Sequence, residues 1–295
     1  MTTTTGTTRI DGASADTKPM LVLDDLSVAY DGKMAVENVT FSIRPGQRYA
    51  IIGESGSGKT TVCMAISGFL PRTATISARE RSFQGTAIGG VKQKTLIPPR
   101  VPGIVTIFQD AMSSLDPVST VGRQFHAVVS GVRRTSEKEA IERAEVVMRS
   151  VGLHDVARIW KSPAAKLSGG MRQRVMIALA LAAEPRLVIA DEPTSALDAS
   201  LARETMEVLS ELTAMTGAAL LIVSHDIALC ARYVDHPVVM KNGHVVESMS
   251  PGELVALPPG SSYARGLLDS IPTLDNWDVS RLRTIESLAS EAGRA

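Results

Sequence analysis

The feature that most constrains this chain is a glycine-rich octet between a predicted strand and a predicted helix. Residues 48–53 (RYAIIG) are apolar enough for a buried strand, residues 53–60 (GESGSGKT) follow at once, and a helix is predicted from about residue 59 to residue 68. The order matches the pattern G-x-x-x-x-G-K-[ST], whose glycines let backbone N–H groups turn toward phosphates at a helix N-terminus. The alternative, a glycine-rich turn without a ligand, is disfavoured by the flanking strand and helix.

Two side chains of this loop have specific predicted roles. The amine of Lys59 is expected to reach the β- and γ-phosphates of a nucleotide, and the hydroxyl of Thr60 to bind Mg²⁺. The loop residues expected to surround the nucleotide are Gly53, Glu54, Ser55, Gly56, Ser57, Gly58, Lys59, Thr60 and Thr61.

Two adjacent carboxylates follow a second apolar run. Residues 187–190 (LVIA) predict a strand buried on both faces of a parallel sheet, and Asp191 and Glu192 come at its carboxyl end. Neighbouring carboxylates are costly to bury unless they are paired. We therefore predict that Asp191 holds Mg²⁺ through water and that Glu192 polarises the water that attacks the γ-phosphate. Taken by itself, the pair also fits a surface turn.

A third segment, LSGGMRQR at residues 167–174, opens a long predicted helix with Ser168, Gly169 and Gly170. Serine and glycine both suit a helix N-cap, which is the simplest interpretation. Exposed amides at a helix start also bind phosphate. Because the first loop already holds one γ-phosphate, the second site needs a nucleotide from another chain. The segment therefore predicts a head-to-tail dimer.

The remaining pattern predicts an α/β chain. Residues 21–28 and 35–43 alternate as half-buried antiparallel strands do, whereas residues 219–223 form an apolar run typical of a parallel strand. Residues 136–151 predict an amphipathic helix with a capping box at its start. Between residues 71 and 103 the pattern is weak and broken by prolines, so no element is assigned there.

The balance of charges and the length of the apolar runs disfavour several classes of protein. Lysine plus arginine (31) equals aspartate plus glutamate (31), so no global field attracts nucleic acid. The longest apolar stretches fall well short of the roughly 20 residues that span a bilayer. Cys63 and Cys230 lack metal-ligand spacing and are predicted to be small core residues.

The order of these motifs resembles that of the nucleotide-binding subunit of ABC transporters, from about residue 21 to residue 246. Gln109, the sequence SALD at residues 195–198, and His225 extend the resemblance. The resemblance implies that Gln109 contacts Mg²⁺ and the γ-phosphate and links the ATP site to a permease. It also implies that Asp198 belongs to a loop that communicates across the dimer.

The resemblance assigns roles to two further side chains. Tyr30 matches the aromatic residue that stacks on adenine, and His225 matches a switch histidine that contacts the γ-phosphate. A tyrosine near a strand end is more often a packing residue, and a histidine after a strand is often a cap. We favour the functional interpretation for both: Tyr30 lies ahead of the glycine loop, and His225 follows a predicted parallel strand, at the end where α/β sheets bind ligands.

Within the family, residues 108–117 (FQDAMSSLDP) and 171–178 (MRQRVMIA) resemble the branch that imports oligopeptides, dipeptides, nickel or related metal chelates, and opines. Residues 263–272 resemble the C-terminal extension of that branch.

The chain also departs from this branch. Ala111 and Asp116 replace the usual proline and asparagine, and Ala165-Lys166 stands where His-Glu is commoner. Many members of the branch that it resembles carry a cysteine cluster for an iron–sulfur centre in the tail. No cysteine follows Cys230 here, so we expect no such centre. These differences bear on the solute, whereas the residues expected to hydrolyse ATP are intact.

The expected fold is α/β: a P-loop NTPase core with a mixed, mainly parallel sheet, an antiparallel β subdomain and an inserted α-helical subdomain at about residues 110–179. Residues 1–19 are expected to be a disordered leader and residues 20–250 the ATPase domain. Residues 251–295 are expected to form the extension of the peptide-importer type.

The expected function is ATP hydrolysis, with ATP and Mg²⁺, that powers an ABC importer for peptides, nickel or metal chelates, opines or similar small solutes. The expected partners are a second ATP-binding subunit, identical or homologous, in a head-to-tail dimer, permease subunits and, through them, an extracytoplasmic solute-binding protein. The expected location is the cytoplasmic face of the inner membrane. The alternative is an ATPase of the same fold in a soluble complex for phosphonate degradation or DNA repair. A non-enzymatic nucleotide-binding module is disfavoured because Glu192 and His225 are both present.

Overall fold

A computed structural model of the chain describes residues 18–89, 101–108, 114–132, 135–195 and 197–249. The strands lie in two sheets. Their bounds are β1 Leu21–Tyr30, β2 Lys33–Ile43, β3 Arg48–Ile52, β4 Ala74–Ser77, β5 Glu80–Phe83, β6 Thr86–Ala87, β7 Ile104–Ile107, β8 Leu187–Asp191, β9 Ala219–Ser224, β10 His236–Lys241 and β11 His244–Ser248.

One sheet is mainly parallel and has the strand order β11-β10-β3-β9-β8-β7. Strands β10, β3, β9, β8 and β7 run parallel, and β11 adds an antiparallel edge. Every residue of β8 and β9 is buried, as their apolar runs predicted. The carboxyl ends of β3, β8 and β9 therefore meet at one edge of the sheet.

The other sheet is antiparallel, with the order β2-β1-β5-β6 and β4 paired to β1. The turn from β1 to β2 uses Asp31 and Gly32, both at positive φ (49° and 78°), as the predicted turn required. The strands β4 to β6 were not predicted. They are short and mostly exposed, so they carry no apolar period that a sequence pattern could reveal.

The helices cover the parallel sheet and build the helical layer beside it. Their bounds are α1 Lys59–Ser67, α2 Val121–Val132, α3 Glu137–Ser150, α4 Val156–Lys161, α5 Gly169–Ala182, α6 Ala199–Thr216 and α7 Ile227–Cys230. The predicted capping box of α3 is confirmed, with Ser136 and Glu139 bonded reciprocally. None of these described helices combines the length and apolar character that crossing a membrane requires.

Two apolar clusters hold these layers together. One joins a face of the parallel sheet to the helices α2 to α6 and contains Cys230. The other lies between the two sheets and α1 and contains Cys63. Both cysteines are buried and free, as predicted.

Part of the predicted domain organisation lies outside the described residues. This applies to residues 1–17 of the leader and to residues 250–295. The limits of the helical subdomain at about residues 110 and 179 stay a prediction.

Candidate active site

The glycine-rich loop joins the end of β3 to the start of α1, as predicted. Gly58 is the N-cap of α1 with φ 100°, a conformation that side chains disfavour. A Cβ atom on Gly58 would lie 2.9 Å from the carbonyl oxygen of Ala35, and one on Gly53 would lie 2.2 Å from that of Met240. The backbone therefore requires glycine at both positions. The amides at the start of α1 face the loop, where a phosphate can accept their hydrogen bonds.

Lys59 is held close to the loop by the backbone. Its side chain is 6% exposed, and Nζ donates to the carbonyl oxygens of Gly53 (2.7 Å) and Glu54 (2.8 Å). Burial lowers the pKa of Lys59 below its ordinary value, and attraction to Glu192 and Asp191 opposes this shift. The site thus holds a partly desolvated cation, which an anionic ligand would stabilise.

Asp191 is the last residue of β8 and lies next to the first turn of α1. The hydroxyl of Thr60 donates to Oδ1 of Asp191 at 3.3 Å. Burial raises the pKa of Asp191 most, and the hydrogen bond from Thr60 and the charge of Lys59 oppose the rise. Hydroxyl and carboxylate oxygens are the ligands that Mg²⁺ prefers, so these two side chains fit the predicted metal site.

Glu192 and His225 meet at the carboxyl edge of the sheet because β8 and β9 are adjacent parallel strands. Nδ1 of His225 lies 2.8 Å from Oε2 of Glu192, a hydrogen bond in which the ring N–H donates to the carboxylate. Oε1 of the same carboxylate lies 3.9 Å from Nζ of Lys59. The carboxylate is therefore oriented from both sides.

Glu192 also has an unusual backbone, with φ 51°. Such a conformation is disfavoured for glutamate and persists where the surroundings fix it. The N–H of Glu192 donates to the carbonyl of Val223 (2.9 Å), and Ser195 donates to the carbonyl of Glu192 from its N–H and its hydroxyl. The predicted base thus sits on a strained and well-anchored turn.

These groups border an open cleft of about 790 Å³. The predicted residues that line it are Tyr30, Ser55, Gly56, Gly58, Lys59, Thr60, Thr61, Glu192 and His225. The hydroxyl of Tyr30 donates to Oγ1 of Thr61 at 3.4 Å, so the end of its side chain lies beside the first turn of α1. The cleft is large enough for a nucleotide.

Other lining residues were missed from the sequence, namely Lys33, Met34, Ala35, Asn242 and Gly243. Asn242 and Gly243 form the turn between β10 and β11, and the N–H of Gly243 donates to the carbonyl of Ser57. An Asn-Gly pair predicts a hairpin turn. Only the parallel pairing of β10 with β3 brings that turn to the glycine loop.

Some predicted site residues lie away from this cleft. Ser168, Gly169 and Gly170 start α5, where the hydroxyl of Ser168 accepts from the N–H of Met171 at 3.3 Å. The carboxylate of Asp198 accepts from the first amides of α6, at Ser200 and Leu201. Both side chains act as helix N-caps within the chain, and neither lines the cleft. Gln109 lies outside the described residues.

Comparison with known proteins agrees with this geometry. The family described as ABC transporter matches residues 36–195. The oligopeptide transport ATP-binding protein OppD of Mycobacterium tuberculosis is 39% identical over 269 residues, which cover 90% of this chain and 44% of that protein. A probable peptide ABC transporter ATP-binding protein of Sinorhizobium fredii is 37% identical over 91% of this chain and 82% of its own length. The chain thus spans less than half of the mycobacterial relative.

Two solved structures share the fold. One is cbiO1 of Clostridium perfringens, described as part of an ABC transporter complex, with a TM-score of 0.68, 29% identity and coverage of 81% of this chain and 91% of that one. The other is a dimeric ATP-binding cassette in a post-hydrolysis state with ADP and Pi, with a TM-score of 0.66, 27% identity and coverage of 79% and 99%. The family match covers more than half of the residues of this chain, and both sheets and the glycine loop have the expected arrangement. The chain therefore belongs to the ABC transporter family.

Proposed function

We propose that this chain is the ATP-hydrolysing subunit of an ABC importer. The observation that carries the proposal is the carboxylate of Glu192, which lies 2.8 Å from His225 and 3.9 Å from Lys59 at the edge of the cleft. A carboxylate in this position can polarise a water molecule toward a γ-phosphate that Lys59 and the loop amides hold. His225 keeps one carboxylate oxygen in place, which leaves the other directed toward the phosphates.

Mg²⁺ fits beside this carboxylate. The hydroxyl of Thr60 and, through water, the carboxylate of Asp191 would hold the ion, and Gln109 is proposed as a further ligand. When bound, the ion neutralises charge that develops on the β- and γ-phosphate oxygens. The ring of Tyr30 is proposed to stack on adenine, since it lines the same cleft above Thr61.

Two copies are proposed to enclose two ATP molecules head to tail. Each nucleotide would contact the glycine loop of one chain and Ser168, Gly169 and Gly170 of the other, with Asp198 near the shared boundary. The start of α5 supports this arrangement, because a Cβ atom on Gly169 or Gly170 would meet nothing within 4 Å among the described residues. Its amides are therefore accessible to an outside phosphate.

The solute is proposed to be a peptide or a similar small molecule, because the relatives named above carry peptide-transport names. The proposed partners are permease subunits, reached through Gln109 and the helical subdomain, and through them a solute-binding protein. The subunit would then lie at the cytoplasmic face of the inner membrane. We propose the same domain limits as the sequence predicts: a leader at residues 1–19, the ATPase domain at residues 20–250 and an extension at residues 251–295. A soluble phosphonate or DNA-repair complex is not favoured by these relatives.

The proposal is tested by Glu192→Gln. Loss of the base is expected to lower phosphate release by about 10²- to 10⁴-fold, while ATP remains bound and holds the dimer together. Size-exclusion chromatography with light scattering, with and without ATP, compares the variant with wild type. An ATP-dependent dimer that only the variant accumulates supports the proposal. Wild-type turnover in the variant would overturn the assignment of Glu192, and the absence of any ATP turnover by wild type would overturn the function.

A further inference from the structure

Gln173 connects the helix that starts at Ser168 to the turn that carries Glu192. It lies in α5, three residues after Gly170, and its side chain is buried. Its Nε2 donates to the carbonyl oxygen of Pro193 at 3.0 Å. Pro193 directly follows Glu192, so the bond reaches the peptide next to the predicted base.

The turn at Glu192 needs this support because its backbone is strained. The bonds from Glu192 to Val223 and from Ser195 to Glu192 fix the N–H and the carbonyl of the base itself. Pro193 contributes no N–H, so the peptide between Glu192 and Pro193 can be held only through its carbonyl. The bond from Gln173 holds the following peptide, between Pro193 and Thr194, through the carbonyl of Pro193.

Stability alone does not account for a glutamine at this position. The second polar atom of the side chain, Oε1, is buried and has no hydrogen-bond partner among the described residues. A buried amide that is only half satisfied lowers stability relative to an apolar side chain of the same shape. A residue that costs the fold stability and touches the catalytic turn is expected to serve the reaction.

We propose that Gln173 is a positioning residue for ATP hydrolysis, acting through the carbonyl of Pro193 to hold the carboxylate of Glu192 in line with the γ-phosphate. The inference rests on the proposed function. Under this proposal α5 has two roles. Its first turn would contact the nucleotide bound by a partner chain, and its second turn would orient the catalytic base of its own chain.

The first test is Gln173→Met, which keeps the length of the side chain and removes the donor. We expect kcat for ATP to fall by about tenfold or more and KM to stay within about twofold, because the nucleotide contacts are unchanged while the base is misplaced. The unfolding midpoint is expected to change little, because removal of the unpaired Oε1 offsets the loss of the bond to Pro193. The matched control is Thr213→Val, which removes another buried donor to a backbone carbonyl far from the cleft, and is expected to leave kcat unchanged. A kcat of Gln173→Met within twofold of wild type would overturn the proposal.

A second variant, Gln173→Glu, tests the hydrogen bond itself. The protonated carboxyl can donate to Pro193 and the ionised one cannot, and burial favours the protonated form. The ratio of its kcat to that of wild type is therefore expected to rise as the pH falls from about 8.5 to about 6, while the ratio for Gln173→Met stays flat. A ratio independent of pH would contradict the inference. Active wild-type enzyme in the same assays separates this failure from a failure of the proposed function.

Discussion

Two helices of this chain begin beside glycines, α1 after the loop at residues 53–58 and α5 at Ser168, but their surroundings differ. At α1 the glycines are required by the chain itself, since a Cβ atom on Gly58 would lie 2.9 Å from a backbone oxygen and its φ is 100°. At α5 a Cβ atom on Gly169 or Gly170 would meet nothing within 4 Å. Packing inside this chain therefore explains the first set of glycines and leaves the second unexplained.

This difference indicates which binding groups each helix start finds within its own chain. The start of α1 already has its cation, its carboxylates and its cleft within one chain. The start of α5 has a capping serine and two glycines whose added Cβ atoms would meet no described atom within 4 Å, and it does not line the cleft. If a phosphate binds at this helix N-terminus, the remaining groups are proposed to come from a second chain. The predictions below test this division from the largest expected effect to the smallest.

The largest effect is expected from Lys59→Met, which removes the cation of the first site. A hydrogen bond to a charged group contributes about 1.5–3 kcal/mol, so the affinity for ATP should fall roughly 10- to 100-fold. Titration with a fluorescent ATP analogue measures it. Unchanged affinity would show that the α1 site does not bind the phosphates.

The stability of wild type, compared with this variant, should depend on pH. Because the pKa of Lys59 is lowered in the folded chain, its charged form destabilises the fold at neutral pH, and this cost disappears as the pH rises through the folded pKa toward the ordinary value of 10.5. The free energy of unfolding of wild type, relative to Lys59→Met, should therefore increase as the pH is raised toward 10.5. Urea titrations without nucleotide across that range provide the measurement, and a decrease would contradict the assigned shift.

A matched pair of glycine substitutions separates the two helix starts. Gly58→Ala is expected to lower the free energy of unfolding by about 1–3 kcal/mol, because it places a side chain at positive φ against Ala35. Gly170→Ala is expected to leave stability equal or to raise it by up to about 1 kcal/mol, since alanine favours a helix. Denaturant unfolding of the nucleotide-free chain measures both.

The effect of Gly170→Ala on ATP turnover should differ from its effect on stability. Gly170→Ala is expected to reduce ATP turnover by about tenfold despite its intact fold, because the added methyl occupies the space that a partner's phosphate would fill. If Gly170→Ala turned over ATP at the wild-type rate, the start of α5 would have no part in a shared site, and its glycines would need another explanation.

Much of the first site could be predicted from the sequence because its signals are local. The glycine octet, the buried run before Asp191 and Glu192, and the run before His225 each specify a strand end, and adjacent parallel strands then bring those ends together. The second site could be predicted only as a pattern. Its completion is proposed to depend on a partner, and the partner residues stay a prediction.

What the sequence did not reveal depends on contacts between distant segments. Asn242 and Gly243 reach the glycine loop through the pairing of β10 with β3, and Gln173 reaches Pro193 across 20 residues. Neither contact leaves a periodic signal. The strands β4 to β6 were missed because their exposed residues do not alternate.

The smallest effect is expected from the pair Ser168→Ala and Ser136→Ala, which tests whether Ser168 is more than an N-cap. Both hydroxyls accept from a helix amide at 3.3 Å and both are exposed, so each loss should lower the free energy of unfolding by about 1 kcal/mol. If Ser168 also contacts a partner's phosphate, its variant alone should lose ATP turnover, by a factor of roughly 3 to 10. Denaturant unfolding and phosphate release at saturating ATP give the two readings. Equal turnover in both variants would show that Ser168 is only a helix cap. The proposed shared site at α5 would then rest on Gly169 and Gly170 alone.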